Sequence, residues 1–215
     1  IVDISQLQFM LQKVQGYGYR QVGFILDRGY FCKENIKYMD QCGYDFVIMV
    51  KGMNSLVRDL ILENKGKFEN IREYSIRQYK CSGMTVKRQL YSSDEEERYF
   101  HIYYSDQKAC AEHEQVEVKI DRMMKYLNSI KGQKVNVGDG FKEYFHLEIY
   151  EQDGTFLYAR EKTEAVQREI DLGGYFVIVT SKKMSAKEAL ELYKSRDVSE
   201  KLFRGDKSYL GNRSL

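Results

Sequence analysis

Two carboxylates in this chain stand where carboxylates do chemistry. Asp27 closes the apolar run VGFIL, and in open α/β sheets ligand sites gather outside the carboxyl ends of the strands. Glu200 lies far downstream on a segment of helical spacing. There Ala186, Ala189, Leu192, Tyr193 and Phe203 mark a side for burial, while Arg196, Glu200 and Lys207, the last if the helix continues past Gly205, fall in the arc of Tyr193. Charges in a stripe meant for burial need a partner or a metal. An aspartate at a strand end and a glutamate on a helix packing back toward it are what two-metal phosphoryl transfer needs. Magnesium or manganese takes such oxygen ligands, and a pair of these ions stabilises both the attacking and the leaving oxygen. Arginine, lysine and a tyrosine hydroxyl beside them can hold a phosphate backbone without reading its sequence. Plainer readings stand next to these. Asp27 could cap a helix starting at residue 33 or bond a turn, with Gly29 supplying a conformation other residues avoid. Arg196 and Glu200, four apart, could be a surface ion pair.

The elements that must position these residues follow from hydrophobic period. SQLQFMLQKVQGYG spaces Leu7, Met10, Leu11 and Val14 as a helix ended by glycines. VGFIL and YDFVIMVK are apolar runs expected as strands covered on both faces, with a short helix over KENIKYMDQC between them. Helix, strand, helix, strand with short links is a parallel α/β unit. Past Lys51 a helix is expected over SLVRDLILEN. Then come tyrosine-rich stretches of alternating polarity, RYFHIYY and YFHLEIY, expected as half-exposed antiparallel strands. Between these, Val116, Ile120, Met123 or Met124, Leu127 and Ile130 predict a long amphipathic helix near 106–131. GGYFVIVTS restores an apolar strand. Ser185 and Glu188 then form a serine-x-x-glutamate capping box that starts the final helix. The expected organisation is an α/β core in two pieces, residues 1–52 and 172–215, interrupted by a largely antiparallel β insertion with one long helix, residues 53–171.

A chain of 215 residues, 43% of them hydrophobic, can bury a real core and is not compositionally disordered. Its 34 lysines and arginines nearly cancel 32 aspartates and glutamates, so only a local patch could favour nucleic acid. The C-terminal segment is such a patch: nine cations from Lys182 to Arg213 outnumber five anions. The four cysteines are scattered and make no ligand pattern with the three histidines, which argues against zinc and for free thiols in a reducing cytoplasm. No apolar run is long enough for a membrane span, and no signal peptide is evident.

Together the motifs resemble the C-terminal part of the catalytic domain of bacterial insertion-sequence DDE transposases of the cut-and-paste type. Asp27, Gly29 and Tyr30 match a D-x-G-Y context, and Tyr193, Arg196, Glu200 and Lys207 match Y-x2-R-x3-E-x6-K. The likeness spans nearly the whole chain. It implies a partial ribonuclease H-like fold with a β insertion before the glutamate helix. It makes Asp27 and Glu200 the second and third catalytic metal carboxylates. Tyr193, Arg196 and Lys207 become contacts to the transposon-end backbone, with transposon-end and target DNA as partners and a homodimer in the full-length protein. The first aspartate of such a triad should lie upstream, and only Asp3, at a helix start where it reads as a cap, precedes Asp27. The expectation is therefore a fragment, inactive alone. Two other functions compete: a non-catalytic DNA-binding or protein-interaction module, and an unrelated magnesium-dependent hydrolase built on Asp27.

Overall fold

The computed structural model of the chain describes residues 7, 9–13, 16–17, 23–50, 54–94 and 96–196. Its secondary structure is mixed α/β. The described residues up to Tyr104, together with the described ones from Phe176, form one compact unit, and Ser105–Tyr175 form a second.

In the first unit a helix, α1, covers residues 9–13, with Leu7 also helical; Leu7 and Leu11 are fully buried. Strand β1 (Gly23–Leu26) is followed by helix α2 (Lys33–Gln41) and strand β2 (Asp45–Met49). β1 and β2 run parallel, Phe24 beside Phe46 and Leu26 beside Ile48. That is the predicted β-α-β unit. Gly43, at φ 68°, ends α2 as glycine does wherever the chain must turn left-handed. Helix α3 (Asn54–Asn64) comes next, then β3 (Ser75–Ile76), β4 (Cys81–Gln89) and β5 (Glu97–Tyr104). With β8 (Tyr175–Thr180) these strands make a six-stranded sheet in the order β1-β2-β8-β5-β4-β3.

Two expectations about burial are corrected here. β1 is not covered on both faces: Gly23 is exposed, Phe24 and Ile25 are half-buried, and only Leu26 is buried. The reason is position, since β1 is the outermost strand among the described residues while β2 has neighbours on both sides. β5, read as half-exposed, is instead buried from Phe100 through Tyr103, because it lies inside the sheet between β8 and β4. Its Arg98 pairs with Asp40 of α2 at 2.6 Å and stands over the Phe46 ring of β2.

The second unit begins with α4 (Asp106–Ser129), a 24-residue helix whose buried side is Val116, Ile120 and Leu127, the stripe its period predicts. α5 (Asp139–Tyr144), the hairpin β6 (Phe145–Tyr150) and β7 (Thr155–Glu161), and α6 (Thr163–Asp171) complete it. Phe145, Phe156, Val166 and Tyr144 join the α4 stripe in one core. YFHLEIY thus forms a half-exposed antiparallel strand, in a two-stranded sheet of its own. No described helix is long and apolar enough to cross a membrane.

After β8 the chain turns through residues 181–185 and enters helix α7 (residues 186–196). The capping box is present in full. The Glu188 carboxylate accepts from the Ser185 N–H and hydroxyl at 2.8 Å, and the Ser185 oxygen accepts from the Glu188 N–H at 3.2 Å. Ala186, Ala189, Leu190 and Tyr193 are buried, the i, i+3, i+4, i+7 set of one helix face. Leu192, expected on that face, is 43% exposed; it lies roughly 200° around the helix from Leu190, on the opposite side.

Candidate functional site

Asp27 follows the last residue of β1, and the chain turns sharply behind it. Residues Arg28–Tyr30 form a short 3-10 turn for which Asp27 is the N-cap, its carboxylate accepting from the Arg28 N–H at 2.6 Å. The turn-bonding reading of Asp27 is thus realised, and the helix-capping one is not: α2 is capped by Cys32, whose Sγ accepts from the Asn35 N–H at 3.4 Å. Gly29 lies inside the turn and is not among the positive-φ glycines, so its expected special conformation is corrected to an ordinary helical turn. Asn35, fully buried, donates its side-chain N–H to the Tyr30 carbonyl at 2.9 Å. It pins the turn that presents Asp27, a role no sequence signal announced.

The second part of the site arrives from the other end of the chain. β8 runs antiparallel to β2, so the chain leaves the Asp27 end of the sheet along β8 and comes back along α7. The return brings Arg196 to Asp27, with Nη1 3.1 Å from Oδ1. Tyr193, one turn earlier, is 4% exposed and sits in a cluster with Val47, Tyr103, Ile178 and Leu190. Its hydroxyl lies 3.3 Å from Arg196 Nη1, and its ring is 4.8 Å from the guanidinium carbon. Tyr193 is therefore a packed support for Arg196, and at most its hydroxyl tip reaches outward. The Arg196 side chain is 21% exposed and that of Asp27 53%. The carboxylate faces solvent while the cation beside it is largely sheltered.

The structure brings together Asp27, Tyr193 and Arg196 from the predicted set. Glu200 and Lys207 lie outside the described residues, as does Asp3. Among the described residues no group of three or more His, Cys, Asp or Glu side chains is placed to hold a metal ion. The Asp27–Arg196 pair was not legible beforehand. Spacing along α7 offered Glu200 as the local partner, and nothing local could announce a partner on β1. The only hint was an arginine near a buried helix face.

A second polar cluster lies in the sheet interior. His101 of β5 is fully buried, with Nδ1 2.9 Å from the Thr85 hydroxyl and Nε2 3.0 Å from the Thr180 hydroxyl. Thr180 donates its own proton to the Lys182 carbonyl, so its oxygen accepts from His101 Nε2–H, and Nδ1 accepts from Thr85. Burial pulls this imidazole down to about 4, from 6.5. A neutral histidine locked between two hydroxyls braces β4, β5 and β8 and leaves no lone pair for a metal.

Fold and site together define a mixed α/β protein that gathers charge at the carboxyl end of a parallel strand pair. The family model described as transposase DDE domain matches residues 3–214, and the chain belongs to that family. Membership implies a ribonuclease H-like fold and action on DNA. Comparison with curated proteins and with solved structures yields no match.

Proposed function

We propose that this chain carries the second and third carboxylates of a cut-and-paste DNA transposase, Asp27 and Glu200, which hold magnesium or manganese for strand cleavage and transfer at insertion-sequence ends. The observation that carries the reading is the meeting of Asp27 with Arg196, held by Tyr193. The three residues come from two separate motifs, and the fold joins them at a strand end. Asp27 suits a divalent cation in that its oxygens are hard donors and half exposed. A metal ion bound there would supply charge stabilisation to the attacking and leaving oxygens of a phosphodiester. Arg196 and Lys207 are the cations for the DNA backbone, and Tyr193 offers its hydroxyl and sets the direction of Arg196. In this reading residues 1–52 and 172–215 are two pieces of a ribonuclease H-like core, residues 53–171 are its insertion, and the working form is a homodimer.

The test is duplex DNA binding over a salt series for the parent, Arg196→Ala and, as a control in the second unit, Lys131→Ala. A phosphate contact by Arg196 lowers the magnitude of the slope of log affinity against log salt by about one. Lys131→Ala leaves the slope alone. An unchanged slope for Arg196→Ala would remove that residue from the DNA interface.

A further inference from the structure

We infer that Arg196 is an exchangeable counter-ion of Asp27. It occupies the carboxylate when DNA is absent and gives it up to a divalent cation when a DNA phosphate draws the guanidinium away. The inference rests on Asp27 being a metal carboxylate and adds a coupling between DNA and metal at that site. Asp27 Oδ1 is engaged twice, by the Arg28 N–H at 2.6 Å and by Arg196 Nη1 at 3.1 Å. A divalent cation bound to this carboxylate would lie within a few ångströms of the guanidinium, and like charges at that range repel strongly, the more so with a doubly charged ion. Arg196 does not drift away by itself, since the Tyr193 hydroxyl and ring hold it from the core side. An arginine with a long stem can swing about that support, and a phosphate is an anion its fork can grip with two parallel bonds. Phosphate binding then favours metal binding, and by linkage the bound metal favours phosphate by the same factor. Off DNA, the carboxylate is kept neutralised and its metal affinity low.

The test is Mn2+ binding by the whole chain without DNA, read from the free-ion electron paramagnetic resonance signal. It compares the parent, Arg196→Gln, Arg196→Lys and Asp27→Asn, with circular dichroism confirming that each is folded. Arg196→Gln should bind Mn2+ on the order of tenfold more tightly than the parent. Arg196→Lys keeps the charge and should stay near the parent, which guards against a mere packing defect. Asp27→Asn should lose the site. If Asp27→Asn loses Mn2+ but Arg196→Gln gains none, the counter-ion inference fails while Asp27 stands as a ligand. If Asp27→Asn binds Mn2+ as the parent does, the metal reading of Asp27 fails and this inference with it. No measurable binding by either the parent or Arg196→Gln overturns the inference as well.

Discussion

Acidification should weaken the first unit through His101, and the size of the effect follows from its surroundings. The imidazole is fully buried, bonds to the hydroxyls of Thr85 and Thr180, and is pushed down to about 4 from 6.5 by burial. In the unfolded chain it takes a proton near pH 6.5, whereas the folded protein refuses one until pH falls to about 4. Between these values the unfolded state binds more protons, so stability rises with pH across the window. The loss begins as pH drops below 6.5 and is complete below about 4. At about 1.4 kcal/mol per pH unit this window amounts to about 3 kcal/mol, a sizeable share of the stability of a typical domain. Carboxylates titrate in the same range, so the measurement is a difference: urea unfolding at several pH values for the parent and for His101→Gln, which cannot charge. Between about pH 7.5 and about pH 4 the parent should lose about 3 kcal/mol more than the variant. An imidazole proton titration of the parent checks the result without mutation, since the His101 signal should move only as pH approaches about 4. A difference below about 1 kcal/mol, or His101 titrating near its ordinary 6.5, would refute the buried neutral tautomer.

Two further outcomes follow from packing and pairing. Gly83→Ala should destabilise by about 1–3 kcal/mol in urea unfolding, because a Cβ there would lie 2.7 Å from Tyr103 Cδ1 and 3.0 Å from Ile76 Cδ1. The Tyr103 ring cannot yield easily, being stacked on Phe176 at 4.8 Å and bonded through its hydroxyl to the Ala186 carbonyl at 2.7 Å; an unchanged midpoint would show that it does. Arg98→Ala should cost about 2 kcal/mol, since it strips a part-buried Asp40 of its 2.6 Å partner and uncovers Phe46. The companion change Asp40→Asn in the same background should recover part of that cost, and no recovery would mean that packing on Phe46 carries the effect.

Sequence reading succeeded where the deciding physics is local. The α4 stripe, the strand ending at Asp27, the β-α-β unit and the Ser185–Glu188 cap each rest on residues a few positions apart, and each is present. It failed where neighbours come from far along the chain. Whether β1 is covered and β5 buried depends on their places in the sheet order, and no period within either strand encodes that. His101 meets Thr180 across 79 residues, so no pattern within the strand RYFHIYY encodes its burial. At the site itself, the types of Asp27, Tyr193 and Arg196 were legible, but their contact was not. Tyr193 illustrates the difference: its place on the buried side of α7 follows from helical period, whereas its partners Val47, Tyr103 and Ile178 come from distant strands.

The antiparallel fit of β8 beside β2 carries a consequence for how the protein is made. The Phe46 N–H is bonded by the Ser181 hydroxyl, 135 residues later in the chain, and β2, with three buried residues in its centre, gains its second neighbour only when β8 is available. During synthesis at about 5–20 residues per second, a bare apolar strand edge therefore waits roughly 6 to 26 seconds for β8 to be made. Such an edge invites pairing with the wrong chain. Crowded polysomes are where that hazard is greatest, so chaperone capture of the nascent chain, and not only the stability of the finished fold, should limit how much of this protein a cell can accumulate.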